Sequence, residues 1–196
     1  MCCKNACRTV AFLFVAALLG AGLMQVGVSS SPAESNQDKA QAKKGEGTTP
    51  QRRAEAMGIK FEKLKPGYLN GCVRSGNLLF TSGFGSKMKG RLGKDLTAKE
   101  GYQAARECAV EILRAVWDRH GTLDGLRVVK VLGCVNSSPD FTDQPEVING
   151  CSDMFHEIFG KQTDGYHARS ALGFASLPRG FAVEIEAIFE IKGSRE

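Results

Sequence analysis

The sequence predicts one α+β domain in which a mixed β-sheet is covered on one face by two helices. Two segments, 97–121 and 143–160, repeat apolar residues at helical spacing, and short β-rich runs lie before, between and after them. The order β-β-α-β-α-β-β favours both helices packing on the same side of one sheet. Residues 58–196 contain all of these elements and have a usual length for a domain with a single core.

The first half of this domain is a hairpin followed by a helix. Strand-forming residues from Cys72 to Gly83 flank a Ser-Gly-Asn turn, which is the pattern of a β-hairpin. Thr97 and Glu100 form a capping-box pattern at the start of the helix, and Gly121 ends it. The residues expected on its buried face are Tyr102, Ala105, Ala109, Ile112, Leu113 and Val116.

The second half continues with a strand, a helix and two further strands. A β-rich run covers Arg127 to Asn136, Asp143 is the expected N-cap of the second helix, and Pro145 suits its first turn. That helix is expected to bury Ile148, Cys151, Phe155 and Ile158. Two strands joined by a Leu-Pro-Arg-Gly turn follow within residues 167–188. In the last strand one face carries Val183, Ile185, Ala187, Phe189 and Ile191, and the other carries Glu184, Glu186 and Glu190.

The N-terminal residues predict export. Lys4 and Arg8 precede an apolar run from Val10 to Val28, and the chain then turns abruptly polar. Residues 1–32 are therefore interpreted as a cleavable signal peptide or, because about 20 apolar residues can span a membrane, as an N-terminal anchor. Both interpretations place the domain outside the cytoplasm, either periplasmic or secreted. Residues 33–57 are polar and are expected to form a flexible tether.

Composition and motifs exclude several classes of function. The formal net charge of +5 is scattered, and no basic stripe with interleaved aromatic residues indicates nucleic-acid binding. The sequence has no clustered metal-ligand pattern, so no metal site is expected, and it has no G-x-S-x-G motif or Walker-type loop. Outside the leader, the four cysteines are widely spaced, which leaves open whether they are free buried residues or form a disulfide.

Arg169 and Glu184 are ambiguous when judged from the residues alone. Glutamates on the wet face of a strand, and an arginine at a strand start, are ordinary solvated charges. His167 lies two residues before Arg169, hence on the same strand face, and is a weak candidate for a site.

The stretch "ARSALGFASLPRGFAVEIEAI" resembles the closing signature of the Rid family (reactive intermediate deaminases of the YjgF-like superfamily, often labelled endoribonuclease L-PSP). The segment "GYLNGCVRSGNLLFTSG" is similar to its opening hairpin, and "GKDLT" and "PDFTDQP" are similar to one branch of the superfamily. The resemblance covers about Lys65 to Ile191. Two positions depart from the pattern, since His167 stands where many deaminase members have proline and Ala171 where a cysteine is frequent.

The resemblance implies a chorismate-mutase-like fold that forms a homotrimer with clefts between subunits. By position, Arg169 would bind the carboxylate of a 2-imino or enamino acid, and Glu184 would position or activate water. The further substrate contacts implied or suggested are Ser82, Gly83, Asn149, Tyr68 and His167. The leading hypothesis is a deaminase that releases 2-oxo acids and ammonia without a cofactor. The alternatives are a non-catalytic trimer that binds a small carboxylate metabolite and, with least support, an endoribonuclease.

Overall fold

The computed structural model describes residues 48–193, and within them one mixed sheet lies under two long helices. The helices are α1 (Pro50–Ala56), α2 (Ala98–His120) and α3 (Gln144–Phe159). The strands are β1 (Cys72–Ser75), β2 (Leu78–Thr81), β3 (Phe84–Gly85), β4 (Leu126–Asn136), β5 (Ala168–Phe174) and β6 (Val183–Ile191). The sheet order is β1-β2-β6-β4-β5, with β3 also paired to β6. Only β4 and β5 run parallel among these pairs, which confirms the predicted mixed α+β sheet.

Local sequence signals account for the ends of the two long helices. Thr97 and Glu100 form both hydrogen bonds of the predicted capping box, and Gly121 ends α2 with a φ of 89°. Asp143 is the N-cap residue of α3, as predicted, although its side chain makes no capping hydrogen bond. The first turn of α3 contains Pro145, where a missing backbone N–H costs little.

The core lies between the helices and one face of the sheet. The central strand β6 alternates as predicted, and Val183, Ile185 and Phe189 are fully buried against the helix layer. The predicted apolar face of α3 is also fully buried, at Ile148, Cys151, Phe155 and Ile158. Since both long helices lie on this face, the opposite face, called here the open face, is left without a covering layer among the described residues.

The open face carries exposed apolar side chains as well as glutamates. Val73 is in register with Phe80, and these side chains are 48% and 40% exposed. At the other edge of the sheet, Leu172 and Phe174 of β5 are 48% and 39% exposed. Large apolar side chains spread across one face are a feature of surfaces that meet another molecule.

Strands β5 and β6 are consecutive in the chain but do not pair with each other. Strand β4 lies between them, parallel to β5 and antiparallel to β6. The predicted Leu-Pro-Arg-Gly turn forms a short 3₁₀ helix, Pro178–Gly180, within a connection that crosses the end of β4. This crossover separates Arg169 on β5 from Glu184 on β6.

The expected tether is wrong for its last residues. Thr49 caps α1, Ala54 is fully buried, and the Arg53 Nε donates a hydrogen bond to the Ile158 carbonyl at 2.5 Å. The Gln51 backbone N–H donates to Asp124 Oδ1 at 2.8 Å. The cap and the buried alanine explain why this polar segment folds onto the domain. The rest of the tether, and residues 1–32, lie outside the described residues.

The four cysteines of the domain are free thiols. Cys72, Cys108 and Cys151 are buried, and Cys134 is partly buried. Burial raises the pKa of Cys72 to about 11, so this thiol is protonated at neutral pH. Within residues 48–193, no helix is long and apolar enough to cross a membrane.

Candidate functional site

Arg169 is held in a defined orientation at the edge strand β5. Its Nη1 donates to Asn149 Oδ1 at 2.8 Å and to Ser152 Oγ at 3.1 Å. Both hydrogens of Nη1 are thereby used, whereas Nε and Nη2 bond no group within residues 48–193. These two nitrogens form the edge of a guanidinium that matches the two oxygens of a carboxylate.

Helix α3 supplies both partners of Arg169. Asn149 and Ser152 are three residues apart, so they lie next to each other on one face of the helix. The Asn149 Nδ2 donates to Glu146 Oε2 at 3.1 Å, which fixes the amide so that its oxygen faces the guanidinium. Asn149 therefore orients Arg169, and its expected contact with substrate stays a prediction.

His167 adjoins the same cluster from the start of β5. Its Nδ1 is 2.6 Å from the Gly165 carbonyl and its Nε2 is 3.1 Å from Ser152 Oγ. Burial lowers the pKa of His167, with smaller contributions in the same direction from His156 and Arg169, while the hydrogen bond to Gly165 opposes the shift. The ring is accordingly neutral at pH 7. The predicted shared face of His167 and Arg169 is confirmed, since both contact Ser152.

Glu184 belongs to a second cluster, on the open face. A methyl group built on Gly83 would lie 2.4 Å from Glu184 Oε1, so the carboxylate occupies space that only glycine leaves free. Glu184 is in register with Cys134 on β4. Burial and the neighbouring carboxylates of Glu184 and Glu186 raise the pKa of the Cys134 thiol. The Glu184 carboxylate forms no hydrogen bond or ion pair in the described part of the chain.

The remaining predicted contacts lie beside this second cluster or in solvent. Ser82 precedes Gly83, and its hydroxyl donates to the Asn70 carbonyl at 2.7 Å, which ties the residue after β2 to the segment before β1. The Tyr68 side chain is fully exposed at 101%. Its place in a substrate site stays a prediction.

The two clusters do not meet within one chain. Arg169 is in register with Val131, and Glu184 with Cys134, three residues further along β4. Two strand spacings of about 4.8 Å and three residues of about 3.3 Å place the two Cα atoms about 14 Å apart. Because side chains alternate along a strand, an odd separation also puts them on opposite faces. Val131 is fully buried under the helices, whereas Cys134 is on the open face.

The side chains around Arg169, called here the arginine cluster, also include Ser152 and His156, neither of which was predicted from the sequence. The rings of His156 and His167 lie with centroids 5.5 Å apart, and burial lowers the pKa of His156. Helical spacing could have identified Ser152, since it lies one turn after Asn149. Nothing local in the sequence places His156 beside His167, because their contact depends on how α3 meets β5. No group of three or more metal-binding side chains occurs in residues 48–193.

Comparison with known proteins identifies the family. The profile of the family described as Endoribonuclease L-PSP matches residues 63–191. The chain belongs to this family. It is the family of the Rid and YjgF-like proteins, as the closing signature predicted.

Individual known proteins are similar to this chain in sequence or in fold. Protein TCP17 of Trypanosoma cruzi is 45% identical over 126 residues, which span 61% of this chain and 78% of TCP17. A crystal structure from Agrobacterium tumefaciens, of a protein with unknown function, is 35% identical with a TM-score of 0.65 and covers 73% of this chain and 92% of its own. One from Shewanella oneidensis is 25% identical, has a TM-score of 0.66 and covers 73% and 99%. The fold is the chorismate-mutase-like fold of this L-PSP family.

Proposed function

We propose that this protein is a deaminase that hydrolyses reactive 2-imino or enamino acids to 2-oxo acids and ammonia, in clefts between the subunits of a homotrimer. The observation that carries the proposal is the Arg169 guanidinium. Its Nη1 is occupied by Asn149 and Ser152, while the Nε and Nη2 edge bonds no described residue. A charged fork held in this way suits bidentate binding of a small carboxylate.

The second catalytic group is Glu184. A carboxylate without a protein partner can accept a hydrogen bond from water and orient its oxygen towards an electrophilic carbon. Glu184 lies on the open face, beside the glycine that gives it room. We assign it the role of positioning and activating the attacking water.

A second copy of the chain would bring the two groups together. Arg169 and Glu184 lie on opposite faces of one sheet, so a cleft containing both needs the arginine cluster of one copy and the glutamate cluster of another. The exposed apolar side chains of the open face support such an assembly, since packing would remove Phe80 and Leu172 from water. Tyr68 is available to contact substrate in that cleft because its side chain is fully exposed.

The chemistry needs only these groups and water. The imine carbon is already electrophilic, so holding the substrate carboxylate and one water in position supplies much of the catalysis. Water adds its oxygen to the imine carbon, and the nitrogen takes up its proton to give a carbinolamine. The hydroxyl proton of the carbinolamine then passes to the nitrogen as the C–N bond breaks, so that ammonia leaves and the new C=O bond completes the 2-oxo acid.

Release of 2-oxo acid in excess of the spontaneous rate tests the activity. The enamine is generated in situ from serine by a pyridoxal-phosphate-dependent dehydratase, and pyruvate is followed over time. We expect acceleration by the wild type, loss of it in Arg169→Ala and Glu184→Gln, and retention in the matched controls Arg52→Ala and Glu186→Gln. Both control side chains are exposed, and Glu186 lies two residues from Glu184 on the same strand face.

A wild-type rate equal to the spontaneous rate would refute the deaminase. If the same protein still bound pyruvate through Arg169, measured by calorimetry with Arg169→Ala as the comparison, the family's binding-module role would replace the catalytic one. Sedimentation of the wild type tests the trimer separately, with Phe80→Glu expected to disrupt it.

A further inference from the structure

We propose that Ser152 and His167 are positioning residues for Arg169, forming a hydrogen-bonded chain that sets the orientation of the carboxylate-binding guanidinium. The proposal rests on the proposed function, because it explains how that clamp is held.

The hydrogen-bonded chain that holds Arg169 begins at a fixed backbone group. The Gly165 backbone N–H donates to the Gly160 carbonyl at 3.0 Å, and Gly165 is buried. A Cβ added at Gly165 would lie 2.7 Å from the Gly160 oxygen and 2.8 Å from the Phe155 oxygen, so the backbone there is closely surrounded. The Gly165 carbonyl that contacts His167 is therefore a rigid acceptor.

The position of every proton in the chain follows from that acceptor. A carbonyl oxygen can only accept, so His167 Nδ1 carries the hydrogen and donates to Gly165 across 2.6 Å. The neutral ring then has an unprotonated Nε2, which accepts from the Ser152 hydroxyl at 3.1 Å. The Ser152 oxygen in turn has lone pairs free to accept from Arg169 Nη1 at 3.1 Å. Each group has one role, and the guanidinium is the only charge in the chain.

The surroundings keep this arrangement in one protonation state. The titratable groups that face His167 are His156 on α3 and Arg169, two residues further along the chain, and the Phe155 and His167 rings pack edge to face. The Arg169 charge disfavours an imidazolium at this position, and protonation of His156 would do the same. Asp153, 3.9 Å from His156 Nδ1, compensates His156 rather than His167.

The hydrogen-bonded chain supports catalysis because it restricts rotation of the Arg169 guanidinium. Asn149 alone would leave one Nη1 hydrogen unpaired and allow the group to swing about the remaining bond. With Ser152 also bound, the Nε and Nη2 edge points in one direction, so less ordering is needed when a carboxylate binds. Loss of the chain should weaken substrate binding while leaving the water-activating glutamate unchanged.

A matched pair of substitutions at His167 tests this role. His167→Gln places an amide where Nε2 lies and retains an acceptor for Ser152, whereas His167→Asn retains a donor to Gly165 and loses the Ser152 contact. We expect KM to rise on the order of tenfold in His167→Asn and Ser152→Ala, as for a lost hydrogen bond to a charged group, with kcat nearly unchanged. His167→Gln should stay within about twofold of the wild type.

A second readout does not depend on turnover. Rotation of the Arg169 guanidinium about its Cζ–Nη1 bond, measured by ¹⁵N NMR on the full-length protein, should be slow in the wild type and His167→Gln and faster in His167→Asn and Ser152→Ala. Equal rotation rates in all four proteins would overturn the positioning role even if the wild type is a deaminase. Conversely, if the wild type has no deaminase activity but the rotation rates differ as expected, the positioning role stands and the proposed function fails.

Discussion

Replacement of Gly83 by alanine should separate the catalytic role of Glu184 from the stability of the fold. The new Cβ would lie 2.4 Å from Glu184 Oε1 and 3.2 Å from both Cγ and Cδ, and no main-chain atom is among these nearest neighbours. Ordinary contact begins near 3.4 Å, so the carboxylate has to move by about 1 Å, which is within the reach of a rotamer change. A displacement of about 1 Å at a catalytic group can lower the rate about a hundredfold.

The free energy of unfolding should change little or rise in the same variant. The φ angle of Gly83 is not in the left-handed region, and alanine restricts the unfolded chain, which stabilises by about 0.4–1 kcal/mol where the backbone permits it. The assays are urea unfolding and 2-oxo acid release. Gly67→Ala is the control, because its added Cβ meets only the Leu69 carbonyl at 3.6 Å. Full activity in Gly83→Ala would refute the assignment of a catalytic position to the Glu184 carboxylate.

Three further predictions concern stability. A Cβ on Gly150 would lie 2.0 Å from the Tyr102 carbonyl oxygen, so Gly150→Ala should force α2 and α3 apart. The free energy of unfolding should fall by about 1–3 kcal/mol or more, as in an overpacked core. An unchanged urea midpoint would contradict the close helix contact. Ala54→Glu buries a charge under α1 and should lower the free energy of unfolding by about 2 kcal/mol or more, whereas Ala56→Glu on the exposed side should not. Equal effects of the two substitutions would mean that α1 does not pack on the domain. Burial lowers the pKa of His156 and His167 below the ordinary 6.5, so below neutrality the unfolded chain binds more protons than the folded protein. The Tm should therefore decrease as the pH is lowered from about 7.5 to about 5.5. The decrease in Tm should be smaller in His167→Gln. A Tm that increases as the pH is lowered would contradict the burial of both rings.

The sequence predicted the elements well because their signals are local. The capping box at Thr97, the glycine at 121 and the alternation from Val183 to Ile191 each depend on residues within a few positions of one another. The same locality explains the confirmed shared face of His167 and Arg169.

The relation between the two clusters could not be predicted in this way. Alternation indicates that Glu184 and Glu186 share a face, but it does not reveal that β4 lies between β5 and β6 or which residues are in register. The opposite faces of Arg169 and Glu184 follow only from that pairing. Helix α1 was missed for a similar reason, since its seven residues include no large apolar side chain and are held mainly by contacts to distant segments such as Asp124 and Ile158.

Helix α1 also determines where the chain enters the domain. It packs against α3 and the connection before β4, on the helix side of the sheet. If the proposed trimer closes over the open faces, the start of α1 in each subunit lies on the side of the sheet opposite to the shared centre. The entry point and the arginine cluster therefore share α3 as a support, since Arg53 of α1 bonds Ile158 of the helix that also carries Asn149 and Ser152.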